Sequence, residues 1–273
     1  MLLNPTIYKL QQLRLHAMAE ALRQHQTDPE VSVLSFEERL SLLIDHEVTS
    51  RENRRLQTRL RSAKLQQSAC FEDIDYHSSR SLDRSLLSTL SQVAWVGSHN
   101  NILIVGPCGT GKTFLACALA HKACLHGSTV HYCRISRLLS ELQLSKGDGQ
   151  YGKRMNELAK TDVLILDDFG LSPLIDEARR DLLEILDDRH DKKSTIITSQ
   201  IPVKFWHETI GNETLADAIL DRLVHNAYRL EIKGESMRKT KAQTKQGLQT
   251  KTNSKSDITS QDSKNNGTEV EVS

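Results

Sequence analysis

Eight consecutive residues, Gly106-Pro107-Cys108-Gly109-Thr110-Gly111-Lys112-Thr113, spell G-x-x-x-x-G-K-T between the apolar run ILIV (102–105) and the helical run FLACALAHKA that starts at Phe114. A strand before and a helix after are the context in which this spacing cradles phosphate. Glycines at 106, 109 and 111 let the backbone turn so that its N–H groups and the following helix start face phosphate oxygens. Lys112 is then placed against the β and γ phosphates, and the Thr113 hydroxyl completes a Mg2+ shell. The ligand this chemistry fits is ATP with Mg2+, held by residues 106–113 and the first helical residue, Phe114.

Further along, VLIL (163–166) leads into Asp167 and Asp168. A carboxylate at the carboxyl end of a parallel strand beside the phosphate loop is a metal anchor, so Asp167 joins Thr113 as the second Mg2+ residue. Asp168 falls where a general base would polarise the attacking water, and its competing role is a helix cap. Asp168-Phe169-Gly170 also spells the magnesium motif of protein kinases, but neither a G-x-G-x-x-G loop nor an H-R-D segment accompanies it, and we read it as coincidence. STIITSQ (194–200) predicts a strand lying between the two nucleotide strands, with Gln200 or Ser199 sensing the γ-phosphate. Arg222, on the helix before the last strand, is the first candidate for a finger reaching a neighbouring subunit's nucleotide. A surface ion pair is the competing reading of Arg222; Arg189 is the second candidate, and Arg238 is a candidate phosphate contact from the C-terminal side, in competition with plain solvated charge.

These residues need a scaffold. Runs at 102–105, 129–133, 163–167, 194–199 and 228–232 alternate with helical stretches, which predicts an α/β fold: a parallel five-stranded sheet covered by helices on both faces. Before it, the chain has no glycine until Gly97, and Leu10, Leu13, Met18 and Leu22, then Leu40, Leu43, Ile44 and Val48, recur at helical spacing. The division is a helical N-terminal domain over 1–68, a linker and helix over 69–100, the ATPase domain over 101–239, and a Ser/Thr/Lys/Gln/Asn tail over 240–273 too polar to order itself.

Aromatics at 4% argue against a sandwich or barrel. No run reaches the roughly 18 apolar residues of a membrane span, and the N-terminus lacks a signal-peptide pattern, so a cytoplasmic protein is expected. Five cysteines at irregular spacing fit a reducing compartment. Cys124, His126, His131 and Cys133 offer zinc ligands at unusual spacing, and the rival reading is a helix end, a turn and a half-buried strand.

With 36 basic and 35 acidic residues, total charge announces no polyanionic partner, so any basic patch must be local. One is. On a helical wheel, Arg54, Arg55, Arg59 and Arg61 fall within about 80° of Arg51, while Leu56, Leu60 and Ala63 lie opposite. Such a stripe fits phosphate contacts more than base reading, in competition with an ordinary solvated face.

The sequence resembles the IstB-like ATP-binding proteins, helper ATPases encoded beside the transposase of bacterial insertion sequences, which are themselves similar to the replicative-helicase loader. The resemblance rests on LRLHAMAEAL (13–22), on 35–65, on the phosphate loop, and on LILDDFGL (164–171), STIITSQ and DRLVHNAYRLEIKGESMRK (221–239). It implies an AAA+ ATPase that binds duplex DNA with weak sequence preference, assembles on it as a homo-oligomer and serves a partner transposase. A helicase loader, a DNA-binding scaffold with a non-hydrolysing nucleotide site and a small-molecule kinase are the alternatives.

Overall fold

The computed structural model describes residues 3–76, 81–234 and 236–237. Arg238 and the polar tail, expected to be disordered, lie outside the described residues. The N-terminal region is helical: α1 (Leu3–Gln12), α2 (His16–Gln24), the short α3 (Pro29–Ser32) and the long α4 (Phe36–Ala63). A reciprocal cap starts α4, with Glu38 N–H donating to Ser35 Oγ and Ser35 N–H to the Glu38 carboxylate at 2.8 Å. Helix α2 has no side-chain cap of its own. Glu47 of α4 supplies one, accepting from Met18 N–H at 2.9 Å, which fixes the angle between the two helices.

Two short helices, α5 (Arg84–Ser91) and α6 (Ala94–Gly97), lead into five parallel strands: β1 (Asn101–Val105), β2 (Val130–Arg134), β3 (Val163–Phe169), β4 (Ser194–Ser199) and β5 (Ala227–Glu231). Their order is β2-β3-β4-β1-β5, so β4 lies between the strands that carry the two nucleotide motifs, as expected. Helices α7 (Lys112–Leu125), α8 (Ile135–Gly147), α9 (Tyr151–Lys160), α10 (Asp176–Arg189), α11 (Trp206–Ile210) and α12 (Glu213–Val224) fill the crossovers.

Alternation along the strands divides the core. Ile102, Ile104, Ile165 and Ile196 face one way, with α7 and Trp95; Leu103, Val105, Leu164 and Ile197 face the other, with α8, α10 and α12. Burial on both faces is why these strands read as continuous apolar runs. The first of these cores also takes in Leu56, Leu60 and Ala63 from the last two turns of α4. No helix among the described residues is long and apolar enough to cross a membrane.

Candidate functional site

The phosphate loop joins β1 to α7. Gly109 and Gly111 take left-handed backbone (φ +81° and +94°), which an L side chain adopts only at a cost. A Cβ on Gly106 would collide with the Ile232 carbonyl, and one on Gly109 would lie 2.8 Å from Ser236 Cβ. Two glycines of the motif therefore also admit the chain that follows β5, and Met237 N–H donates to Gly109 O at 2.9 Å. Lys112 is buried, its ammonium donating to the Gly106 and Pro107 carbonyls at 2.8 Å each, so its charge is centred in the loop.

Asp167, 2% exposed, is a hub. Its carboxylate accepts from Thr113 Oγ1 at 3.1 Å, from the Tyr132 hydroxyl at 2.6 Å, and from the Thr198 hydroxyl. Burial and the neighbouring Asp167 push the Tyr132 phenol well above its ordinary range, so it stays a donor. The 3.1 Å between Thr113 Oγ1 and Asp167 Oδ1 is close to the roughly 3 Å between adjacent ligands of an octahedral Mg2+ with bonds of about 2.1 Å, and both are the hard oxygen donors this ion takes.

Beyond Leu166 the register of β3 against β4 shifts, and Asp168 sits at φ +63°, a region Asp tolerates better than most residues. The kink turns successive carboxylates apart: Asp167 inward to Thr113, Asp168 onto the wall of a cleft of about 640 Å³. Asp168 N–H donates to Thr198 Oγ1 at 3.1 Å, and its carboxylate lies 3.7 Å from Arg134 Nε. No cap of a following helix is made by Asp168, since α10 starts at Asp176. Phe169 of the kinase-like triplet is core, packed on Trp206 with ring centres 4.6 Å apart.

The same cleft is lined by Cys108, Gly109, Gly111, Lys112, Thr113, Phe114 and Gln200. Of the two sensor candidates, Gln200 faces it and Ser199 does not. The Ser199 hydroxyl donates to Phe169 O at 2.8 Å and accepts from Ile201 N–H at 3.0 Å, bracing the end of β4. Thr198, a polar residue of the same strand end passed over in favour of Gln200 and Ser199, touches both aspartates; sequence reasoning missed Gln67, Asp73, Asp75 and Met237, which line the cleft outside the phosphate loop. Only the D-x-D pattern at 73–75 offered a signal for the latter group.

Arg222 pairs with Asp187 and donates to Ala218 O at 2.9 Å. Its carbonyl accepts from the side chain of Asn101, the first residue of β1, whereas the phosphate loop follows the other end of that strand. Arg222 thus lies at the amino ends of the strands, opposite the carboxyl ends that carry its own cleft. Arg189, expected as the second finger, is instead a structural residue: 1% exposed, it donates to the carbonyls of Leu158, Thr161 and Ser194 at 2.5–2.7 Å. Burial pulls its pKa down to about 10.

The arginine stripe of α4 divides. Arg51 pairs with Glu47 at 2.8 Å and reaches the Arg14 carbonyl; Arg59 turns to the core, donating to Cys124 O at the end of α7 at 3.0 Å. Arg54, Arg55 and Arg61 are exposed. An arc of about 160° was too wide for one face, and core packing took the Arg59 side. Among the described residues no cluster of three or more His, Cys, Asp or Glu side chains is placed to hold a metal, and Cys124 is buried.

Residues 8–245 match the family described as IstB-like ATP binding protein. The chain is 51% identical over 239 residues to the insertion-sequence ATP-binding protein y4pL of Sinorhizobium fredii, covering 88% of this chain and 98% of that one. Among solved structures it is similar to DnaI (TM-score 0.52, 21% identity, 62% of this chain and 89% of that one). It is also similar to the replication initiator DnaA bound to AMPPCP and single-stranded DNA (TM-score 0.52, 19% identity, 63% and 52%). The fold is the α/β AAA+ fold preceded by N-terminal helices, and the chain belongs to the family of IstB-like insertion-sequence ATP-binding proteins.

Proposed function

We propose that this protein is a DNA-stimulated ATPase of the bacterial cytoplasm that assembles on duplex target DNA as a homo-oligomer and supports a partner transposase. The observation that carries the reading is the division of labour at the end of β3: Asp167 meets Thr113, while Asp168 reaches the cleft beside Lys112 and Gln200. Bound there, Mg2+ would neutralise charge on the phosphates, held by Thr113 and Asp167. Lys112 and the backbone N–H groups of the loop over 106–113, Pro107 contributing shape but no donor, orient the triphosphate, and Phe114 continues that wall of the cleft. Asp168 takes the proton of the attacking water, with the Thr198 hydroxyl holding its backbone in place. Gln200 reads the γ-phosphate.

Arg222 lies at the amino end of β1, so in this scheme it serves the nucleotide of the next copy, where such a finger contributes about 10³ to 10⁵ in rate. Asp187 holds the guanidinium until then; an ion pair this exposed contributes at most about 1 kcal/mol and is readily exchanged. The helical region before residue 69 grips DNA and residues 101–239 hydrolyse ATP.

Phosphate release, measured with and without long duplex DNA, tests the scheme. Lys112→Ala and Arg222→Ala should each be inactive alone and regain activity when mixed, because each supplies the half-site the other lacks. Absence of phosphate release by the unaltered chain on DNA would leave a binding scaffold; no recovery on mixing would remove Arg222 from the site.

A further inference from the structure

Between α2 and the core, α4 leaves one side uncovered, and two adjoining i, i+4 rows occupy it. One runs from His46 through Arg54 to Thr58, the other from Thr49 through Asn53 and Gln57 to Arg61. Together they line a shallow groove along about 22 Å of helix. Asn53, Arg54, Gln57 and Arg61 are exposed, and none of these four side chains has a hydrogen-bond or ion-pair partner among the described residues.

Within 46–61 no acid lies in the rows; the exposed Asp45 is the position before Thr49, at the far end of the second row from Arg61. Of the two acidic residues between 46 and 61, Glu47 is buried against Arg51 and Met18, and Glu52 projects about 150° away from the centre of the rows. The face therefore carries two unneutralised guanidinium groups flanking two carboxamides. Arginines neutralise phosphates whatever the sequence. Carboxamides do something else: Asn and Gln each present a donor and an acceptor that match adenine N7 and N6 in the major groove, a groove about 12 Å wide that accepts a helix. The corresponding groove of duplex RNA is too narrow for side chains to read.

We propose that α4 docks in the major groove of duplex DNA by this face, with Arg54 and Arg61 on phosphates and Asn53 and Gln57 on adenine edges, so that the protein prefers some target sequences by direct base contact. The proposal rests on the DNA-binding reading above and sharpens it: the stripe of Arg51, Arg55 and Arg59 is not the docking face.

The test uses the full chain and two duplexes of identical sequence, one of them with every adenine replaced by 7-deazaadenine, which lacks the major-groove N7 acceptor but keeps the charge and the minor groove. Wild-type protein should bind the substituted duplex about fivefold or more weakly, the lower end of the discrimination carried by a bidentate contact. In Asn53→Ala/Gln57→Ala that difference should vanish while the salt dependence stays. Arg54→Ala/Arg61→Ala should weaken both duplexes alike and flatten the slope of log K against log salt by about 1 per arginine. ATP affinity, measured for every variant, reports folding. Equal binding of the two duplexes by wild type, or an undiminished preference in Asn53→Ala/Gln57→Ala, overturns base contact by this face; failure of wild type to bind either duplex overturns the DNA reading itself.

Discussion

Gly109→Ala separates two demands that meet at one backbone position. At φ +81° an alanine costs about 1–2 kcal/mol, because its Cβ crowds the following carbonyl in the left-handed region. The same Cβ would overlap Ser236 Oγ and lie 2.8 Å from Ser236 Cβ, and relieving overpacking of this kind costs about 1–3 kcal/mol. The sum, about 2–5 kcal/mol, corresponds to a fall in Tm of about 4–20 °C for a body of this size. Urea unfolding of four proteins resolves the two parts: wild type, Gly109→Ala, Ser236→Gly and the double variant. In the Ser236→Gly background the nearest remaining atom is Ser236 Cα at 3.3 Å, so only the backbone cost of about 1–2 kcal/mol should remain. A coupling energy of about 1–3 kcal/mol is the expected result. An equal loss in both backgrounds would refute the claim that the segment after β5 rests on the phosphate loop.

Three other perturbations have defined outcomes. Asp168→Asn keeps a residue that tolerates φ +63°, so ATP affinity should survive while phosphate release falls about 10²- to 10⁴-fold; unchanged turnover would mean another group takes the proton. Arg189→Met leaves the Leu158, Thr161 and Ser194 carbonyls without their donor and should cost about 3–5 kcal/mol in urea unfolding, with hydrolysis per folded molecule intact; a stable variant that cannot hydrolyse would restore Arg189 as a finger. Burial raises the Cys124 thiol from 9.0 to about 11, so between those pH values the unfolded chain has released a proton that the folded chain keeps. Stability contributed by this thiol is therefore complete below pH 9 and falls by at most about 1.4 kcal/mol per pH unit above it. Cys124→Ala should flatten the alkaline decline in unfolding free energy measured from pH 8 to 10.5, and an identical decline would contradict the burial.

What could be read from the residues in order follows from how local each constraint is. Strands buried on both faces announce themselves as runs such as ILIV and VLIL, and the phosphate loop is contiguous, so both are visible in one dimension. Asp167 was legible because it ends such a run. The opposed directions of Asp167 and Asp168 were not, because they depend on a register shift between β3 and β4 that no composition encodes. Thr198 was passed over for the same reason: its hydroxyl matters only once that shift brings both aspartates to it. Arg189 and Arg222 look alike in sequence, each closing a helix before a strand. Burial separates them, and burial is set by α9, whose last turn brings the Leu158 carbonyl to Arg189.

The arginine helix shows the same limit from the other side. Periodicity places Arg54, Arg59 and Arg61 on a helix but cannot say which arc the core will claim. In the fold, Leu56, Leu60 and Ala63 enter the cluster that holds α7, and Arg59 closes on Cys124 O, one end of the helix whose other end carries Lys112 and Thr113. The exposed Arg54 and Arg61 therefore stand on the same continuous helix whose Leu60 and Arg59 pack against the phosphate-binding helix and its core. A tether of Gly and Ser would let a DNA-binding arm and a nucleotide site act independently. A shared helix does not: if the DNA-bound and free proteins differ in the position of α4, the change reaches α7 through Leu60 and Arg59. By linkage, nucleotide must then alter DNA affinity by the factor with which DNA alters nucleotide affinity.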